Sequence, residues 1–440
     1  MIDFKEHTLA NGLKVLANYD DCSGMAAVNL LYAVGSADES PDRTGFAHLF
    51  EHLMFRGTAT VPSYDTPVQE VCGENNAFTS ADYTDFYLTM PKENFLTGLW
   101  LEADRMRGLD INDQTLEVEK SVVIEEFRQR YLNRPYGEQW HTIREMVYTT
   151  SPYRWPVIGL TPDHIREATL EEVRGFYDRF YVPSGAILSV SAGIEPERVF
   201  EAAESYFGHL PTLPAPVRAE VQQEPLAGPV RRVIEAAVPA DQITIAFLME
   251  RRTERGYYLC DLLTDLLAGG ESARLFQHLV KQKQIFSAAN AYITGEVGQG
   301  MLILTGQLCS GVSVEQAEEA LYEELRLLAE EPIGEYELQK VKNKFEANIT
   351  FGELNVMNKA MNLGFYSMLG DMALLNGEID IYRSITAEEI ASYVRTRLTP
   401  QRSATLIYRK TQQYIYYIFD IIICQEYNEN KVENGGKNDG

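Results

Sequence analysis

Two histidines, His48 and His52, stand one helical turn apart in the stretch Thr44-Gly-Phe-Ala-His-Leu-Phe-Glu-His-Leu-Met-Phe-Arg-Gly57. Leu, Phe and Met dominate this stretch, so it reads as a helix with Gly57 as a plausible stop. At i and i+4 both imidazoles leave the same face, and Glu51, three residues after His48, lies near it. Two nitrogens on one face suit a tetrahedral zinc, and a carboxylate beside them can take a proton from a metal-bound water. The order His-x-x-Glu-His reverses the commoner His-Glu-x-x-His. With 7 His in 440 residues, a chance match should occur on the order of once in a hundred such chains.

A zinc site that works on substrates needs a third protein ligand and an open fourth position. The stretch 113–130 reads as a strong helix, with Val118, Val122 and Val123 falling near one face. Glu119 and Glu126 are seven residues apart, two turns, and share a face. Such a pair suits one metal ligand and one carboxylate that orients a ligand. A single Glu on a helix more often faces solvent. Glu125 competes with Glu126 for the ligand position, and the seven-residue spacing from Glu119 favours Glu126.

In these motifs the chain resembles the pitrilysin/insulinase family of zinc peptidases, the inverzincins, whose members include the mitochondrial processing peptidases. The family's second motif, Glu-(Arg/Lys)-x-x-Val-x-x-Glu, is matched by Glu119-Lys-Ser-Val-Val-Ile-Glu-Glu126, 74 residues after His52. The resemblance implies one Zn²⁺ per chain held by His48, His52 and Glu126. It implies Glu51 as general base and Glu119 as the acid supporting the site. It extends to Gly73–Tyr87, which looks like the strand that lies beside the peptide, with Asn76, Ala77, Phe78 and Thr79 as substrate-binding residues. Phe176–Pro183 and Tyr206–Pro211 look like the end of the family's first domain, and the likeness runs over residues 5 to 410. The implied reaction is hydrolysis of peptide bonds in unfolded peptides, the substrate adding as a β-strand.

The chain departs from the family at one place. Single-chain members carry an Arg and a Tyr, seven apart, in the second half. The matching segment here keeps Arg274, but Val280 and Ser287 stand where that pair belongs, and a one-residue slip brings only Phe286 to the Tyr position. An intact zinc motif without the Arg/Tyr pair is the pattern of the catalytic subunit in two-subunit members. The resemblance therefore implies a heterodimer with a homologous, zinc-less subunit that supplies the pair. The rival readings are a non-catalytic core or assembly subunit and a peptide-binding module of the same fold.

The elements that position these residues read as α+β. A chain of this length makes about two domains. The first, 1–212, opens with a hairpin at 7–17 whose Asn11-Gly12 favours a type I′ turn. An apolar strand follows at 26–34, then the histidine helix, a helix near 64–72 and strands through 76–89. Helices follow at 92–108, 113–133 and 136–147, then a capping box at Thr169–Glu172 and a strand at 186–192. Residues 213–228 are a Pro-rich linker. The second domain, 229–411, repeats the first without its metal, with Ile243–Met249 in the place of the 26–34 strand and Tyr257–Gly270 in that of the histidine helix. Helical patterning recurs at 313–330, 335–370 and 386–398. Each domain is expected as a mostly antiparallel sheet covered by helices, the two related by duplication. The tail, 412–440, is expected to be poorly ordered.

Composition bounds the rest. The net charge of −25, 64 acidic against 39 basic residues, argues against nucleic acid as a partner. The five cysteines are scattered, which suits a reducing compartment. No signal-peptide pattern opens the chain and no apolar run reaches a membrane span, so a cytoplasmic protein is expected.

Overall fold

The computed structural model describes residues 1–218 and 223–411. The 412–440 tail and four linker residues lie outside the described residues. In the first half the strands are β1 (Lys5–Thr8), β2 (Lys14–Tyr19), β3 (Met25–Tyr32), β4 (Glu74–Thr79), β5 (Thr84–Pro91) and β6 (Ala186–Ala192). Its helices are α1 (Phe46–Leu53), α2 (Asp65–Glu70), α3 (Phe95–Arg107), α4 (Asp113–Phe127), α5 (Gln139–Val147), α6 (Pro162–Arg166), α7 (Leu170–Phe180) and α8 (Pro196–Phe207). The second half holds β7 (Val230–Ala236), β8 (Gln242–Leu248), β9 (Phe286–Ile293), β10 (Met301–Leu308) and β11 (Ser403–Lys410). Its helices are α9 (Arg255–Ala268), α10 (Val314–Glu330), α11 (Glu335–Gly352), α12 (Val356–Leu369), α13 (Ala373–Ser384) and α14 (Ala387–Arg397).

The duplication is written in the strand order. The first sheet runs β1-β2-β6-β3-β5-β4 and the second β7-β11-β8-β10-β9. With β1 set aside, the orders match position for position. Each sheet has one parallel pair, β2/β6 and β11/β7, and is otherwise antiparallel. The capping box at Thr169 recurs at Thr386, each before the helix that leads into its sheet's parallel pair.

The central strands β3 and β6 are buried along almost their whole length because both faces are covered, with Asn29, Ser189 and Ser191 as buried polar residues among the apolar ones. On β3, Val28, Leu30 and Tyr32 enter the first half's own core, while Ala27 and Leu31 point the other way, to residues of α12. The second half returns the arrangement. Ile243, Ile245 and Phe247 of β8 enter their own core, and Ala246 packs with Ile143, Met146 and Val147 of α5. Each half thus lends a helix to the other's sheet, and the two pack as one body. Gln223 is tied to the first half: its Oε1 accepts the N–H groups of Thr149 and Thr150, at 2.8 and 3.1 Å.

Several expectations need correction. The first hairpin does not close by a two-residue type I′ turn. Leu9 N–H donates to Leu13 O, Gly12 N–H donates to Leu9 O, and only Gly12 has positive φ, +93°. Asn11 is buried, its amide donating to the Phe207 carbonyl, so tertiary contact sets the turn. Patterning at 335–370 is two helices, broken where the Asn355 side chain caps α12. Val118 and Val122 do not join Val123 on the inner face: both are exposed, and the buried stripe of α4 is Leu116, Glu119, Lys120, Val123 and Phe127. Among the described residues no helix is long and apolar enough to cross a membrane.

Candidate metal centre

The helix α1 is fixed before it offers its histidines. Phe46, Ala47, Leu49, Phe50 and Leu53 are buried in the first core, which leaves His48, Glu51 and His52 on the half-open side. Its first turn is held by Glu39, a buried carboxylate that accepts from Gly45 N–H at 2.8 Å and Ala47 N–H at 2.9 Å. Burial raises the Glu39 pKa well above the ordinary carboxylate range, against these backbone donors. The helix ends at Leu53, earlier than Gly57. That glycine, with φ +98°, lies where a Cβ would collide with the Val61 carbonyl oxygen.

Helix α4 crosses beside α1 and brings its two carboxylates to the histidines. Glu126 Oε2 lies 3.6 Å from His48 Nε2 and 3.5 Å from His52 Nε2. Glu119 Oε2 faces the other nitrogen of His52, Nδ1, at 3.4 Å. Among the described residues this trio, His48, His52 and Glu126, is the one group of three or more such side chains able to share an ion. The donor set fits zinc: a tetrahedral ion with bonds of about 2.1 Å sets its ligands about 3.4 Å apart. Glu125 turns away, exposed, toward Arg128 and Gln129.

The electrostatics separate the two imidazoles. Burial pushes the His48 pKa down. Burial works the same way on His52, but Glu119 and Glu126 overcome it and raise that pKa to about 9. Burial raises Glu51, against the 2.6 Å hydrogen bond it accepts from Thr79 Oγ1. Glu126 is held low by His52, with Arg130 Nε 3.0 Å from its other oxygen. Arg56 pairs with Glu119.

The candidate substrate residues lie on β4, the outer strand of the first sheet. Thr79 reaches the centre through Glu51. Asn76 Oδ1 accepts the N–H of Ala77 at 2.9 Å, so a peptide pairing there must displace it. Phe78 stacks edge-on against Tyr83. Sequence reading missed Glu39, Arg56 and Arg130. Arg56, four residues after His52 and on the same helical face, had a readable signal; Glu39 had none. Replacing Glu119 by Gln should lower zinc affinity about 10- to 100-fold, because an orienting charge is lost while every ligand stays. A chelator competition that returned wild-type affinity would remove Glu119 from the site.

The chain as a whole has relatives in sequence and in fold. Residues 14–147 match the profile described as "Insulinase (Peptidase family M16)", and residues 167–345 match "Peptidase M16 inactive domain". The chain is 28% identical over 343 residues to the zinc protease PqqE of Helicobacter pylori, covering 76% of this chain and 77% of that one. It is 25% identical over 246 residues to the mitochondrial-processing peptidase subunit beta of Saccharomyces cerevisiae, covering 54% and 52%. The solved structure of a protease from Helicobacter pylori shares the fold, with a TM-score of 0.88 at 24% identity over 93% of this chain and all of that one. With two profiles of one family running in tandem along most of its length, the chain belongs to the insulinase family, peptidase family M16.

Proposed function

We propose that this chain is a zinc-dependent peptidase that hydrolyses bonds in unfolded peptides. The observation that carries the reading is Glu126 Oε2 within 3.6 Å of both His48 and His52 Nε2, beside a Glu51 that accepts from Thr79. His48, His52 and Glu126 would hold Zn²⁺, which supplies Lewis acidity and a water that ionises near neutral pH. Glu119 keeps the proton of His52 on Nδ1 and leaves Nε2 to the metal. Glu51 takes the proton from the attacking water and returns it to the leaving amine, a role that suits a carboxyl raised by burial. Thr79 ties this base to the substrate strand: the peptide would pair along Asn76–Thr79, and the same strand ends on the Glu51 carboxylate.

At the matching segment of the second half the Arg/Tyr pair is replaced by Val280 and Ser287. Val280 is partly buried against the core, and Ser287 Oγ donates to the Gln307 carbonyl. A homologous zinc-less subunit supplying that pair is therefore the proposed partner, and a relative named as a subunit supports it. The profile described as inactive reaches over the half without the His-x-x-Glu-His helix, which accords with one metal per chain. We place the division between the two domains in residues 213–228. Among the described residues the cysteines are scattered and unbridged, which supports the cytoplasm as its compartment. The test is zinc content and peptide cleavage of the purified chain, alone and with the partner. One zinc per chain and cleavage only in the pair is the expected result. Full activity from the chain alone removes the partner, and absence of zinc removes the reading.

A further inference from the structure

A groove of about 800 Å³ opens beside the metal centre, between the α4–α5 connection and the outer strand of the second sheet. Arg130, Arg134, Tyr131 and Trp140 line one side, and Asn290 and Tyr292 of β9 line the other. Its near end is one side chain from the metal centre, because Arg130 both lines it and reaches Glu126. Its charge runs against the chain as a whole. The protein carries 64 acidic residues and a net charge of −25, yet among the described residues no Asp or Glu lines this groove. Arg134 is exposed and has no ion-pair partner among the described residues. Arg130 gives one edge of its guanidinium to Glu126 and is otherwise solvated. A planar guanidinium presents paired donors matched to a carboxylate. The aromatic faces of Tyr131 and Trp140 offer apolar area beside it.

We propose that this groove is a subsite for a carboxylate of the bound peptide, with Arg134 as its principal cation and Arg130 as the second. The proposal rests on the peptidase reading for the nature of the ligand. The carboxylate is either an acidic side chain or the free C-terminus of the peptide. Arg134 is then a specificity-determining residue: it selects which peptides enter and in which register they lie, and it moves no proton. The overall field sharpens the inference. A chain of strong negative charge repels acidic peptides in general, so preference for one must come from a local site.

Binding is the direct test, and it needs no turnover. The probes are alanine-based peptides with an N-terminal fluorophore, in matched pairs: Glu against Gln scanned through the internal positions, and a C-terminal acid against its amide. Fluorescence anisotropy is read on the full chain with its zinc content measured, and in Arg134→Gln and Arg134→Glu. Both substitutions fall on an exposed connection and break no ion pair, so the fold is kept. One acid-bearing probe should bind about tenfold tighter than its neutral twin, the scale of a charge-assisted pair. Arg134→Gln should erase that ratio and Arg134→Glu invert it. Which pair responds tells side chain from C-terminus. Equal binding of all twins, or a ratio unchanged in both variants, overturns the subsite. Hydrolysis assays on the same probes keep the two readings apart. With the partner subunit present in those hydrolysis assays, cleavage without acid preference rejects the subsite alone, and acid preference without cleavage rejects the peptidase alone.

Discussion

Glu51→Gln should lower peptide hydrolysis about 10³-fold and leave one zinc bound per chain. A positioned general base contributes roughly 10²- to 10⁴-fold, and Glu51 is the candidate whose carboxylate is neither a donor in the trio nor paired with a cation. The substitution is conservative in shape. The Gln carbonyl can still accept from Thr79 Oγ1, as the carboxylate does at 2.6 Å, so the strand and helix stay tied. What is lost is the ability to take a proton. Burial raises the Glu51 pKa in the metal-free site, which suits a carboxyl that must hold a proton after taking it. Metal analysis beside a fluorogenic peptide assay checks both halves. Zinc retained with hydrolysis within tenfold of the wild type would take the base role from Glu51.

The candidate metal trio was legible because its geometry is largely local. His48 and His52 are fixed relative to each other by one helical turn, and Glu119 and Glu126 by two, so each pair's face follows from the helix period alone. What brings the pairs together is the packing of α1 on α4, which residue types alone do not state; the family resemblance supplied it. The same limit explains the errors. Val118 and Val122 look like core by type, but α4 turns that side to solvent because its inner stripe must present Glu119. Asn11-Gly12 carries a strong local turn preference that the buried Asn11 amide overrides. The exchange of α5 and α12 between the halves is a contact over more than a hundred residues, and no local period announces it. It does explain a feature the sequence displayed openly, the run of β3 that is apolar except at Asn29. Glu39 shows the same thing at the site: a carboxylate outside the motif holds the helix that carries the motif.

Zinc affinity should fall about tenfold for each pH unit below about 9, with a slope of one proton, reaching a loss of roughly 10³-fold by pH 6. The reason is His52. In the metal-free chain Glu119 and Glu126 raise its pKa from 6.5 to about 9, so at neutral pH the imidazole is charged and both its nitrogens carry protons. A metal ligand must be neutral at the coordinating nitrogen, so zinc has to displace the Nε2 proton. His48 adds no second proton over this range, because burial holds its pKa below the ordinary value. The sign for the metal-free fold is the opposite. A folded pKa above the unfolded one makes protonation stabilising: the contribution is full below pH 6.5 and is lost as pH rises through about 9. Zinc and the His52 proton thus compete for one position, and each stabilises the fold where the other is weak. Chelator-buffered zinc titrations across this range read the slope directly, and calorimetry in buffers of different ionisation enthalpy counts the released proton. A slope near zero would mean that Glu119 and Glu126 do not charge His52, and a slope near two that His48 is charged as well. Either result would contradict the division of labour between two histidines that differ by one helical turn and by which carboxylate each one faces.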